Sequence, residues 1–141
     1  MSKETLFVDR PVGIDLGTTN SEIAILDPSE QDLHVYADRF GRQTVPSAVA
    51  WDPKKETLLV GRDARKRRGK QPPPIESIKR QMGRDMKVNV GPMTMTPEEV
   101  SSKILAELKA CMGEHLASGA PDGLEVRVGR AVITVPAYFD A

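Results

Sequence analysis

Between Val12 and Leu26 the chain reads VGIDLGTTNSEIAIL, and Asp15, Gly17, Thr18, Thr19 and Asn20 crowd into one short turn between apolar runs. Turning the chain needs only a residue or two, yet this turn also carries a carboxylate, hydroxyls and an amide. A glycine lets a ligand approach the backbone closely, and successive N–H groups at a turn can converge on an anion. The threonine hydroxyls and the asparagine amide add donors, and Asp15 can hold a hydrated Mg2+ beside the anion. Such a set fits a phosphate-and-metal site. It also fits a polar hairpin turn with no ligand, and spacing alone leaves both readings open. Two other phosphate motifs are excluded, because no Gly-Lys-Ser/Thr follows the glycine and no G-x-G-x-x-G opens a helix.

The elements around this turn follow from periodicity. Val12–Gly17 alternates apolar Val12, Ile14 and Leu16 with Gly13 and Asp15, and Ser21–Asp27 puts Ile23 and Ile25 on one face. Asp32–Ala37 is a weaker strand candidate beyond the turn DPSEQ. Short links predict antiparallel neighbours, a meander whose first hairpin carries the polar turn. Past Arg39 the texture changes: RFGRQTVPS is a loop, then SAVAW and TLLVG read as short strands around DPKKE. A basic run at 62–70 is broken by KQPPP, since proline cannot sit inside a helix. A short helix is predicted over 75–82 with Gly83 as its stop, and 84–95 reads as loop or weak strand.

The clearest element begins at TPEEV. Thr96 as N-cap, Pro97 at the first helical position and Glu99 two further on form a capping box. Val100, Ile104, Leu108, Met112 and Leu116 then recur every four residues on one face, and Glu99 can pair with Lys103 on the surface. SGAPDG ends the helix, and 130–135 reads as a strand apolar enough to be buried on both faces.

Composition bounds the rest. The chain has 141 residues, about one domain, and 20 Lys+Arg balance 20 Asp+Glu, so global charge does not call for a polyanionic partner. Cys111 is the only cysteine, which rules out an intrachain disulfide and fits a reducing compartment. No apolar run approaches the roughly 18 residues of a membrane span, and the start MSKETLFVDRP lacks a signal peptide's apolar centre; a cytoplasmic protein is expected. The basic run at 62–70 has no interleaved aromatics and reads as a solvated helix face rather than a nucleic-acid site. Cys111 reads as a part-buried inert thiol, His34 and His115 lack metal-spaced partners, and Trp51 as packing. The chain stops straight after its most apolar strand, so it is expected to be truncated.

IDLGTTNS closely resembles the first phosphate loop of the seventy-kilodalton heat-shock (DnaK-type) chaperones of the actin-like ATPase superfamily. Further segments match in order: TVPSAVAW with LLVGRDA, then SIKRQMGR, then AVITVPAYF. The resemblance implies an α/β fold of the ribonuclease-H-like type. Residues 1–38 and 96–141 would form an incomplete first-lobe core, with the antiparallel meander and 130–135 parallel beside 12–17; 39–95 would be an inserted outer α+β subdomain. It implies that Asp15 positions the metal through water and that Gly17, Thr18, Thr19 and Asn20 wrap the β- and γ-phosphates. Lys79, otherwise an exposed helical lysine, matches the family lysine on the γ-phosphate and the attacking water, where a cation neutralises developing charge. Pro136, otherwise a strand terminator, matches the proline that relays nucleotide state to a peptide-binding domain.

The cofactors implied are ATP or ADP and Mg2+. The partners implied are unfolded polypeptides, a J-domain co-chaperone and a nucleotide-exchange factor, in cycles of peptide binding tied to heat-shock function and the stress response. The chain departs from the pattern at Gln43, where the family usually has arginine, in the short segment after MGR, and at Asp140 after AYF; these bear on its partners more than on its phosphate loop. Alone, the 141 residues are expected to lack meaningful ATPase activity and to self-associate through the exposed strand edge. A sugar or acetate kinase of the same superfamily, and a non-enzymatic binding module, are the alternatives.

Overall fold

A computed structural model describes residues 4–8, 10–27, 32–35, 42–118 and 124–134. Its strands are β1 (Glu4–Val8), β2 (Val12–Asp15), β3 (Asn20–Asp27), β4 (Asp32–Val35), β5 (Val45–Pro46), β6 (Ala48–Asp52), β7 (Thr57–Val60), β8 (Ile75–Glu76), β9 (Val88–Val90), β10 (Met93–Met95), β11 (Leu124–Val128) and β12 (Ala131–Thr134). Its helices are α1 (Arg62–Arg65), a 3-10 turn at Ile78–Gln81 and the long α2 (Pro97–Ala117).

The expected meander is present. β2 and β3 pair antiparallel with Ile14 opposite Ile23, β3 and β4 antiparallel with Ile25 opposite His34, and β12 lies parallel to β2 with Ile133 opposite Ile14. Alternation decides which face is core: Val12, Ile14, Ile23 and Ile25 are buried against the Val100, Ile104, Leu108 and Met112 stripe of α2, while Gly13, Asp15 and Glu22 face away. The four-residue spacing gives α2 a continuous apolar face, and the capping box fixes where it starts. Glu99 N donates to Thr96 Oγ1 at 3.2 Å, and Thr96 N donates to Glu99 Oε2 at 2.7 Å, so this carboxylate serves the cap rather than Lys103.

A strand pair is also present where none was expected. β1 runs parallel to β11 from Glu4 opposite Leu124 to Val8 opposite Val128. β1 leads into β2 and β11 into β12, so the two pairs are successive halves of one long parallel contact. Three residues separate β1 from β2 but only two separate β11 from β12, so the register slips by one, bridged by Val12 N donating to Arg130 O at 3.1 Å. Pro11 has no N–H to give the ladder, which accounts for the break. Val126 and Val128 of β11 pack under α2, which comes so close at Gly113 that a Cβ there would lie 2.6 Å from the Val126 carbonyl oxygen.

Strand β12 is not buried on both faces. Ala131 to Thr134 are all exposed, Val132 to 66% and Ile133 to 41%, and no described strand pairs with the side of β12 away from β2.

The remaining elements lie between the meander and α2 in the chain. β6 pairs with β7 and β8, α1 packs its Ala64 against Ala48 and Ala50 of β6, and β9–β10 form a hairpin where a loop or weak strand was expected. Trp51 is partly buried and packs against the main cluster, as does Ile78 within it. The helix expected over 75–82 is replaced by β8 and the 3-10 turn. Glu76 is drawn into a ladder opposite Ala48, and Ser77 adopts the left-handed region at φ 56, which separates the two. The basic run is likewise not one solvated helix face, since only Arg62–Arg65 is helical and Arg65, Arg67 and Arg68 donate to protein acceptors. Among the described residues, no helix is long and apolar enough to cross a membrane.

Candidate phosphate-binding site

The turn from β2 into β3 can close only on glycine. A Cβ on Gly17 would fall 1.9 Å from the Asn20 carbonyl oxygen, well inside any permitted contact. Beneath the turn is a small buried hydroxyl network. Gly17 N donates to Ser21 Oγ at 3.2 Å, Ser47 Oγ donates to the Gly17 carbonyl at 2.8 Å, and the two hydroxyl oxygens are 2.8 Å apart. Ser47 has one hydroxyl proton and gives it to Gly17, so Ser21 must be the donor between the serines. Every member is thereby satisfied in a pocket where both serines are at most 2% exposed.

The segment TVPS supplies the second brace. β5 pairs with the start of β3, Asn20 opposite Pro46 and Ser21 opposite Val45, and Ser47 N donates to the Thr19 carbonyl at 2.9 Å. Arg65 of α1 supplies a third: Nη2 donates to the Thr19 carbonyl at 2.5 Å and Nη1 to Asn20 Oδ1 at 3.2 Å. The Gly17 amide and the Gly17 and Thr19 carbonyls are thus turned into the protein. Among the described residues, no protein acceptor takes the amides of Thr18 and Thr19.

Lys79 comes to the same place from the 3-10 turn. Buried Ile78 anchors that turn, and Lys79 Nζ donates to the Leu16 carbonyl at the foot of the loop. It is half-buried, not the exposed helical lysine its bare sequence suggests. One of three ammonium donors is spent on Leu16, which leaves two for an anion above. The start of α2 holds this turn in place: Gly83 N donates to Glu98 Oε1 at 2.9 Å, which lowers the Glu98 pKa, and Ser101 Oγ lies 3.5 Å from Met82 Sδ.

Asp15 stands exposed on the sheet face away from α2, with Oδ1 accepting from Thr134 Oγ1 at 2.8 Å. Thr134 of β12 and Glu22 of β3 flank it in register. No group of three or more His, Cys, Asp or Glu among the described residues could hold a metal by side chains alone. A single carboxylate suits a magnesium ion that keeps most of its water. The turn also carries the amides and hydroxyls of Thr18 and Thr19 and the Asn20 side-chain amide, with the Lys79 ammonium on the Leu16 carbonyl at its foot, donor types that suit an anion.

Of the residues singled out from sequence, Asp15, Gly17, Thr18, Thr19, Asn20 and Lys79 therefore come together. Pro136 lies outside the described residues. Ser21, Ser47, Arg65 and Thr134 were not singled out, although each lies inside a segment that was.

The family model of the Hsp70 protein matches residues 11–90 and 85–141. The chain belongs to the Hsp70 family. Membership implies the actin-like ATPase fold and supports a chaperone-type ATPase fragment of a nucleotide-binding family. The mixed sheets and the α2 layer accord with that fold class. The whole phosphate-loop region and Lys79 fall within the Hsp70 match, whereas β1 precedes it. The two matched stretches overlap at 85–90, which runs from beyond the Lys79 turn through β9.

An ion-pair cluster supports Arg65 from behind. Arg68 donates to Glu76 through Nε and Nη2 at 2.8 and 2.7 Å, and Arg65 Nε lies 3.4 Å from Glu76 Oε1. The Arg68 hydrogen bonds hold the Glu76 carboxyl below its ordinary 4.5. Because the folded pKa is depressed, the stabilisation is present in full above the unfolded value and is lost as pH falls through the folded one. Glu76→Gln is expected to lower stability at neutral pH by under about 1 kcal/mol. Paired thermal melts should show the gap to wild type closing once the pH drops well below the ordinary carboxylate range.

Proposed function

We propose that residues 15–20 and Lys79 form the phosphate side of a magnesium–ATP site in a chaperone-type ATPase lobe built on a ribonuclease-H-like sheet. In this reading ATP binding and hydrolysis drive cycles of unfolded-peptide binding, assisted by a J-domain co-chaperone and a nucleotide-exchange factor. Residues 39–95 are the inserted outer part of that lobe, carrying Lys79 and Arg65 to the loop. One observation carries the reading. An ammonium is seated at the foot of a turn whose outer amides, at Thr18 and Thr19, are not consumed by the protein.

The residues divide the work. Thr18 and Thr19 offer amides and hydroxyls to β- and γ-phosphate oxygens, and Asn20 offers its NH2. Lys79 brings positive charge to the γ-phosphate, where phosphoryl transfer spreads negative charge in the transition state. Asp15, whose Oδ1 accepts from Thr134 Oγ1, would hold a hydrated Mg2+. Mg2+ bound there would supply positive charge to neutralise the phosphates. Pro136 follows directly on the Thr134–Val135 segment and is assigned the relay from site to partner domain.

The described residues face a triphosphate from one side only, so an affinity near millimolar, about 4 kcal/mol, is expected for this chain. Calorimetric titration with Mg·ATP tests the reading on wild type, Asp15→Asn and Lys79→Ala. Each substitution removes a charged partner and should weaken binding by about tenfold or more. Unchanged affinity in both variants would show that the hairpin is a turn and nothing more.

A further inference from the structure

We infer that Arg65 is a positioning residue for the phosphate loop: it fixes the Asn20 side chain so that its NH2, and not its carbonyl oxygen, faces the anion. The inference rests on the nucleotide reading above and adds a residue to it. The argument is one of hydrogen-bond polarity. A guanidinium has only donors, so whatever atom of Asn20 it meets must be an acceptor. Nη1 reaches Oδ1 at 3.2 Å, which fixes the amide's orientation and leaves both Nδ2 hydrogens for other partners. An asparagine without that partner can also turn its carbonyl towards an anion, a repulsive arrangement. With Arg65 in place only the donating end is offered.

The second prong acts on the backbone. Nη2 binds the Thr19 carbonyl at 2.5 Å, which also accepts from Ser47 N at 2.9 Å. A carbonyl held from two directions fixes the orientation of its peptide plane, which also carries the Asn20 N–H. Arg65 can do this because it is itself held. Its Nε lies against Glu76, which Arg68 grips through both oxygens, and Glu76 sits in the β6–β8 ladder opposite Ala48. The guanidinium fork reaches two acceptors at once, a geometry lysine's single ammonium does not reproduce. Arg65 does not touch the ligand; it acts through Asn20 and Thr19.

The test uses the full chain and Mg·ATP, with 15N NMR following the backbone amides of Thr18 and Thr19 and the Asn20 side-chain NH2. Arg65→Ala and Arg65→Lys should each weaken binding about tenfold, with lysine failing to rescue although it keeps the charge. In an Asn20→Ala background the further effect of Arg65→Ala should shrink to about twofold, the sign of two residues acting as one unit. Asn20→Asp guards against a trivial loss of folding. It gives Arg65 a stronger partner and should hold or raise the unfolding midpoint, yet it removes the NH2 and should weaken Mg·ATP binding. If wild type binds and Arg65→Lys binds equally well, the positioning role is overturned while the nucleotide site stands. If wild type shows no shift at these groups, the site and the inference fall together.

Discussion

Replacing Gly17 by alanine is expected to remove Mg·ATP binding and to destabilise the chain by more than the roughly 1–3 kcal/mol typical of overpacking. The added Cβ would meet the Asn20 carbonyl at 1.9 Å, and a backbone oxygen cannot step aside as a flexible side chain can. The turn must open. Opening it breaks the Gly17–Ser21–Ser47 network, leaving buried hydroxyls and a carbonyl without partners. It also displaces Asn20 and the Thr18 and Thr19 amides from Lys79. A control stands four residues away, since a Cβ on Gly13 would have nothing within 4 Å. Denaturant unfolding and Mg·ATP titration of the two variants should therefore differ sharply: Gly13→Ala near wild type, Gly17→Ala unstable and unable to bind. Similar behaviour of the two would mean that the turn is far more pliant than its packing indicates.

The second large effect lies away from the site. Ile104→Ala should cost about 2–5 kcal/mol, a large part of the 5–15 kcal/mol that holds a domain folded. Ile104 is 0% exposed and belongs to the cluster that joins α2 to the β2–β3 hairpin and, through Val45, Val49 and Ile78, to the segments around the loop. A cavity there loosens the sheet and the turn that carries Lys79 together. Lys103→Ala, exposed on the same helical turn, should stay within about 0.5 kcal/mol. Thermal melts that separate the two by on the order of 10 °C are expected; near-equal melting points would contradict the proposed packing of α2.

How much of this was legible beforehand depended on how local the signal was. The capping box at Thr96 and the four-residue spacing to Met112 are local, and α2 begins and packs as they require. The hairpin around Gly17 and the parallel placement of β12 were also readable. β1 and β11 were not, because each is short and gains its place only by pairing with the other across the chain; the alternation Leu124, Val126, Val128 was the available sign. The apolar run at 130–135 was readable as a strand, and its exposure as an edge was expected, but apolar residues alone do not say whether its faces are covered, and Val132 and Ile133 are exposed. The turn around Lys79 was misread as a helix because its neighbour Glu76 is claimed by β6 and by two arginines, neither visible from local pattern.

The site divides along the same line. Asp15, Gly17, Thr18, Thr19 and Asn20 stand in one stretch and could be found there. Lys79 could be found only through its resemblance to a family motif. Arg65 was hidden in a basic run whose composition suggested solvent, and Ser47 in a motif read for its strand. What distinguishes them is the acceptor each faces, and acceptors are set by the fold.

The most direct measurement is an NMR titration of the chain with Mg·ATP, set beside Mg·AMP as a ligand without β- and γ-phosphates. The account predicts saturable shifts at the Thr18 and Thr19 amides and at the Lys79 ammonium with ATP, half-complete near millimolar concentration, and little response to AMP. Equal shifts with both ligands, or none with either, would contradict it.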